Sequence, residues 1–323
     1  SPRGVWKAPG PSAPPATTTT EKGSRVDRGA GAITARDGRR SPFILAVASG
    51  KGGTGKTAVA SSLAALLPEV LAVDGDGDAP NLHLLLPFPF RESALITRPR
   101  PVVDPNRCDG CGACARACRF GALLTLGGSW RLLGDLCHGC GLCVRVCPRG
   151  ALREEEYPVG ERRRGEEGDR EILEGRLFPG LPNPVPVIED TVAAAPSSTK
   201  PAVIIDCPPG SSCPFVTSVR PAHAALLVTE PTPFGLADLE LALGALKDMG
   251  KRVGVLVNRC DVASFAPEEL CAREGVPVVG RLPFSRAVAE SYAEGVPPAL
   301  RDHLWRETLT HLWHHWALKG GPA

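Results

Sequence analysis

Eight of the twelve cysteines in this 323-residue chain stand in two short runs, CDGCGACARAC at 108–118 and CHGCGLCVRVC at 137–147. Each run has the spacing C-x2-C-x2-C-x3-C, through Cys108, Cys111, Cys114 and Cys118 and through Cys137, Cys140, Cys143 and Cys147. Thiols gathered at such intervals in a chain of this size point to a metal, which needs them reduced, rather than to disulfides. Zinc held by four thiolates is one candidate, though it leaves the third and fourth cysteine of each run without a clear task. An iron–sulfur cluster is the other.

A second group of residues suits phosphate. In SGKGGTGKT, 49–57, Gly50, Gly52, Gly53 and Gly55 let the backbone amides of the loop, Thr54 included, turn toward phosphate oxygens. Lys56 adds a point charge, and the Thr57 hydroxyl is a magnesium ligand of the right hardness. Asp74 and Asp76 in VDGDGDAPNLHLLL and Asp206 in VIIDCPPG stand at the ends of apolar runs, where carboxylates hold a metal or orient a water molecule.

These residues need a scaffold, and the apolar pattern supplies one. PFILAVAS (42–49), EVLAVD (69–74), PAVIIDC (201–207), AALLVTE (224–230), RVGVLVN (252–258) and VPVVGRLP (276–283) predict buried strands. Almost continuous apolar runs between helical segments are what a parallel sheet covered on both faces requires. The fold class is therefore α/β, doubly wound and mostly parallel. Between the second and third of these strands lies an insertion opened by RPRPVVDPNR. Aligning 108–123 with 137–152 gives ten identities in sixteen positions, so the insertion is an internal duplication. The charged stretch 153–175 is expected to be an exposed connector or small hairpin layer. Residues 1–40, rich in Pro, Thr, Gly and Arg, are expected to be a disordered extension.

With 37 basic and 35 acidic residues the net charge is +2, which recommends neither nucleic acid nor an anionic membrane as a partner. No apolar run approaches the eighteen residues of a membrane span, and no secretory signal is evident. A cytoplasmic location follows as the expectation.

The second lysine, Lys51, near the front of KGGTGKT, resembles the deviant phosphate loop of the MinD, ParA, Mrp and nitrogenase iron-protein class, and the resemblance runs over about 42–300. It implies ATP, Mg²⁺ and a homodimer, or a heterodimer with a closely related paralogue. Lys51 would reach across to the partner's nucleotide and Lys56 would serve the phosphates. Asp76 would activate water, Asp74 would lie on the metal side, and Asp206 would reach Mg²⁺ through water. Gly210 would lie near the γ-phosphate, Asn258 would bond the adenine, and RLPFSRAVAE (281–290) would close the base pocket.

The cysteine runs resemble those of bacterial two-cluster ferredoxins. That resemblance implies one 4Fe–4S cluster on Cys108, Cys111, Cys114 and Cys147, and another on Cys137, Cys140, Cys143 and Cys118. Pro148 follows Cys147 as in that family, whereas Arg119 follows Cys118. The whole chain resembles MinD-superfamily ATPases with an inserted ferredoxin domain, often labelled cobyrinic acid a,c-diamide synthase-like. The expected domains are the ATPase at 41–98 and 154–319 and the ferredoxin insertion at 99–153. The function so implied is ATP-driven dimer closure that gates electron transfer to a redox partner. One alternative is a cluster carrier of the Mrp kind with a cluster-accepting partner, although its late CxxC is missing and Cys260 and Cys271 are separated by ten residues. Another is a MinD-like positioning switch. An amidotransferase is not expected, for want of a glutaminase domain. Cys207 and Cys213 are expected to be buried structural thiols. The tail, with Trp305, Leu309, Leu312, Trp313 and Trp316 on one helical face, is expected to dock on the core.

Overall fold

A computed structural model describes residues 41–262 and 265–318, all within one compact unit; the expectation for 1–40 lies outside the described residues. The six predicted strands form: β1 Phe43–Ala48, β2 Val70–Asp74, β8 Ala202–Asp206, β9 Ala224–Thr229, β10 Arg252–Asn258 and β11 Val278–Leu282. Three long strands that were not predicted join them, β3 Phe90–Val103, β6 Leu152–Glu167 and β7 Arg170–Leu177. Together they make one nine-stranded sheet in the order β11-β10-β9-β1-β8-β2-β7-β6-β3. Seven of its strands are parallel, and β6 and β3 run antiparallel at one edge.

The stretch 153–175 is thus a hairpin, β6 with β7, as one of the two expectations had it, but it belongs to the main sheet and forms no separate layer. Its second half is an interior strand, β7, beside β2. The cause is electrostatic pairing: Glu174 is fully buried but meets Arg163, Arg176 at 3.4 Å and His83 at 2.7 Å, and Glu171 meets Arg164 and Lys200. Buried charges are tolerated when paired in this way.

Side chains alternate across the sheet. Leu45 and Val47 of β1 join one core with Leu63, Leu309, Trp313 and Trp316, while Ile44 and Ala46 join the other with Phe215 and Leu243. The first core takes in the tail. Helix α9, His303–Leu312, runs into a wider π-helical turn at Trp313–Ala317, and the tail docks as expected. Trp313 meets Phe43 edge-on at 5.8 Å, and the Arg252 guanidinium donates to the carbonyls of Trp316 and Ala317, both at 2.6 Å. Among the described residues no helix is long and apolar enough to cross a membrane.

Strands β3 and β6 form a long ribbon, pairing from Phe90 with Gly165 to Val103 with Leu152. The expected boundary between residues 98 and 99 falls inside this continuous strand. A lobe spanning 104–151 hangs from the ribbon's far end, built from helix α2 (Ala113–Ala117), the hairpin β4 (Leu123–Leu126) and β5 (Ser129–Leu132), and helix α3 (Leu142–Arg145).

Because Trp313 is fully buried, Trp313→Ala is expected to lower the unfolding free energy by about 3–5 kcal/mol in urea titration; a loss below about 1 kcal/mol would contradict a docked tail.

Candidate functional site

The glycine-rich loop joins β1 to helix α1, Lys56–Leu66. Gly55 caps that helix at φ 96°, and Gly53 has φ 83°. Side chains disfavour this left-handed region. The loop also needs room at Gly50, where a Cβ would stand 2.1 Å from the carbonyl oxygen of Asp238. The helix that follows presents unpaired amides at its start, a natural anion site.

At the floor of the loop, the Thr57 hydroxyl donates to Asp206 Oδ2 at 2.6 Å, and Lys56 Nζ lies 3.4 Å from Oδ1. Burial alone would lower the Lys56 ammonium, but Asp206, Asp76 and Asp74 outweigh it and raise its pKa. Asp74 and Asp206 are register partners on β2 and β8, and both are fully buried. Burial and then Asp206 push Asp74 up to about 8, against the backbone amides that bond it. Those amides belong to Leu82 and Asn81, each at 2.8 Å, and Asp76, at 3.0 Å. Through these bonds Asp74 shapes the loop that carries Asp76. The second loop is tied back as well, since the Gly210 amide donates to the Ser49 carbonyl at 2.9 Å.

A cleft of about 480 Å³ opens above these groups. Gly53, Gly55, Lys56, Thr57, Asp76 and Asn258 line it together with Arg259, Phe284 and Tyr292. Within it the Asn258 amide donates to the Thr54 carbonyl at 2.8 Å, a bond that holds the phosphate loop. Lys51 is half-buried and turned to its own chain, with Nζ 3.4 Å from Glu230 Oε2 and 3.5 Å from Thr232 Oγ1. Glu230 also meets Arg259, whose φ of 52° is the single left-handed non-glycine value among the described residues. Sequence reasoning passed over Glu230, Arg259 and Tyr292. The signal available for Glu230 was its place at the end of a buried strand, in VTEPTP.

The lobe sorts its cysteines around two small cavities. Cys108, Cys111, Cys114 and Cys147 line one, with Trp130 and Ala151; Cys118, Cys137, Cys140 and Cys143 line the other, with Pro101 and Phe120. The duplication is repeated in the backbone: Gly110 and Gly139 have φ 68° and 64°, and Gly112 and Gly141 both have 71°. The Ala151 amide donates to Cys147 Sγ at 3.3 Å, and the Trp130 indole lines the same cavity as Cys114. Among the described residues no three or more His, Cys, Asp or Glu side chains gather as the ligand set of a metal ion.

With a phosphate loop, two acidic strand ends and a parallel sheet in place, comparison with known proteins is decisive on kinship. The profile of the CobQ/CobB/MinD/ParA nucleotide binding domain family matches residues 45–298. The chain belongs to this family. An uncharacterized protein of Methanocaldococcus jannaschii is 35% identical over 199 residues, 60% of this chain and 70% of that protein. The chloroplastic septum site-determining protein minD homolog of Arabidopsis thaliana is 27% identical over 271 residues, 80% of this chain and 69% of its own. Among solved structures, the cell division ATPase MinD of Pyrococcus furiosus aligns with a TM-score of 0.52 at 20% identity, covering 84% of this chain and 98% of that one. MinD of Pyrococcus horikoshii, solved with Mg-ADP, gives 0.52 at 19% over 84% and 94%. At these identities the likeness is one of fold, an α/β architecture on a mostly parallel sheet. Nucleotide binding is the shared property of the family.

Cys207 and Cys213 part company in the structure. Cys207 is fully buried, and burial pushes its thiol up to about 12; Cys213, expected to be buried, is exposed at the start of helix α5, Cys213–Val219. Brief iodoacetamide labelling at pH 8 followed by peptide mass spectrometry should therefore modify Cys213 and spare Cys207. Equal labelling would show that the Asp206 loop opens freely.

Proposed function

We propose that this chain hydrolyses ATP as a homodimer, that its lobe holds two 4Fe–4S clusters on the crossed cysteine sets, and that nucleotide state controls electron delivery to a partner protein. The observation that carries the proposal is the sorting of eight cysteines into two cavities, each with three from one run and one from the other. The Ala151 amide directed at Cys147 Sγ adds outer bonding of the kind that tunes such clusters. The lobe's own core supports the same view, because only Cys114, Leu123 and Leu152 form its buried cluster. So small a core needs a staple.

The nucleotide site fits magnesium on its donor set. Thr57 and Asp206 touch at 2.6 Å, and three carboxylates around one lysine leave an excess of negative charge for a cation to neutralise. When bound, magnesium offsets phosphate charge and the clusters supply one-electron transfer at negative potential. The chain's residues do the rest. Amides around Gly53 and Gly55 and the Lys56 ammonium hold the phosphates, and Asp76, lining the cleft, orients the attacking water. Lys51 leaves Glu230 to reach the nucleotide of the facing subunit.

A second reading, a MinD-like switch without redox chemistry, is favoured by the family relation itself. In this reading Trp305, Trp313 and Trp316, buried against the core, serve the fold, and the switch would act on protein partners.

Anaerobic iron and sulfide counts test the proposal. About eight of each per chain are expected, with Cys118→Ser and Cys147→Ser each retaining about half. Zinc without sulfide would overturn the cluster assignment. Lys56→Ala should reduce ATP turnover at least about 100-fold with the iron count unchanged.

A further inference from the structure

Helix α4, Val185–Ala193, lies among all the parts that such control would have to join. Its Val187 is fully buried in a small cluster of its own, with Ile96 of β3, Val159 of β6, Leu177 of β7 and Leu181. Val159 enters because the ribbon bulges there: Ile96 pairs with Gly160 and Thr97 with Pro158, which leaves Val159 opposite no partner. A bulge re-aims a side chain in this way.

Three backbone segments press on the same valine. A Cβ at Gly77, in the loop of Asp76, would stand 3.2 Å from Val187 Cγ1; one at Gly175 would stand 2.8 Å from Cγ1, and one at Gly160 2.7 Å from Cγ2. The Gly77 carbonyl also accepts from the Leu177 amide at 2.8 Å. Contacts with so little slack transmit a displacement rather than absorb it.

The outer face of α4 is tied by charge. Glu189 accepts from Arg98 of the ribbon at 2.7 Å and lies 3.9 Å from Arg220, which caps α5, the helix that follows the Asp206 loop. Asp190 accepts from Arg162 of β6 at 2.5 Å. Leu181, Pro182 and Asn183, just before α4, and Pro186 in its first turn share a cavity with Cys137 and His138. One helix therefore touches the Asp76 loop, the helix after the Asp206 loop, the ribbon and the edge of the second cysteine run.

We propose that α4 is the mechanical link between the nucleotide site and the cysteine lobe, with Val187 as its central positioning residue; this rests on the reading of the lobe as the holder of two clusters for electron delivery. The rival route is the ribbon's own attachment to the sheet through β7, which bypasses α4. Intermediacy alone does not establish a link, so the test must separate the two routes.

The full chain, anaerobically reconstituted, is compared with and without a non-hydrolysable ATP analogue and magnesium by hydrogen–deuterium exchange. In the wild type, peptides covering 98–103 and 134–143 should change their exchange rates by about fivefold or more. The surface double variant Glu189→Gln with Asp190→Asn, and separately Val187→Ala, should bind the analogue and retain iron as the wild type does. In both, the response at 134–143 should fall below about twofold. An undiminished response in the double variant would overturn the link in favour of the direct ribbon route, and that variant decides even where Val187→Ala fails to fold. A wild-type lobe that does not respond while its phosphate loop is protected would overturn it as well. Missing iron in the wild type would defeat the cluster reading instead, and the exchange data would still judge the link.

Discussion

The carboxylate of Asp206 is the group on which the rest of the nucleotide site depends. An ionised carboxylate without solvent is costly unless it is paired and hydrogen-bonded, and here Thr57 and Lys56 do both. The pairing fastens the end of β8 to the start of α1 and so anchors the glycine-rich loop that joins β1 to α1. It also fixes what β2 can carry beside it. Asp74, its register partner, sits in the same buried layer, so two like charges compete for one lysine, and burial with Asp206 pushes Asp74 toward its neutral form. The three amides that Asp74 gathers are those that shape the Asp76 loop. The charge state at Asp206 and the form of that loop are therefore coupled, and a cation bound nearby would let both carboxylates ionise.

The lobe obeys a different constraint. A short segment with a handful of buried side chains cannot offset the entropy of its own ordering. Its cysteines are themselves part of its core, since Cys114, Cys118, Cys143 and Cys147 all pack in its apolar cluster. The ligands of the proposed clusters and the residues that hold the lobe together are one set, so the cluster and the fold of the lobe would stand or fall together, as in other small metal-dependent domains.

The sequence was informative where one physical signal acted alone. Continuous apolar runs gave six parallel strands within two residues of their ends, and glycine and lysine spacing located the phosphate loop. The 29-residue repeat reappears as matched left-handed glycines at 110 and 139. It failed where signals conflicted. β7 was missed because REILEGRL carries Glu171 and Glu174, whose burial depends on arginines from β6 and on His83, partners that no local pattern announces. Asp74 and Asn258 were expected at the site and stand there, and the bonds they make within the chain, to the amides of 76–82 and to the Thr54 carbonyl, had no signal in the sequence. Such bonds are decided by three-dimensional competition among donors rather than by residue type.

The ribbon shows why an insertion could be accommodated at all. β3 closes one edge of the sheet, and an exposed edge invites unwanted pairing unless charge or proline protects it. In FRESALITRPRPVV both devices occur: Arg91, Glu92, Arg98 and Arg100 carry charge, and Pro99 and Pro101 lack the amide a further strand would need. The segment RPRP, read from the sequence as the opening of the insertion, is the guarded edge of a strand. A flexible linker would leave the lobe free to tumble. A paired ribbon, tied to α4 by Arg98 and Arg162, instead holds it in one orientation to the nucleotide site, and a fixed orientation is the condition for any movement at that site to be felt in the lobe.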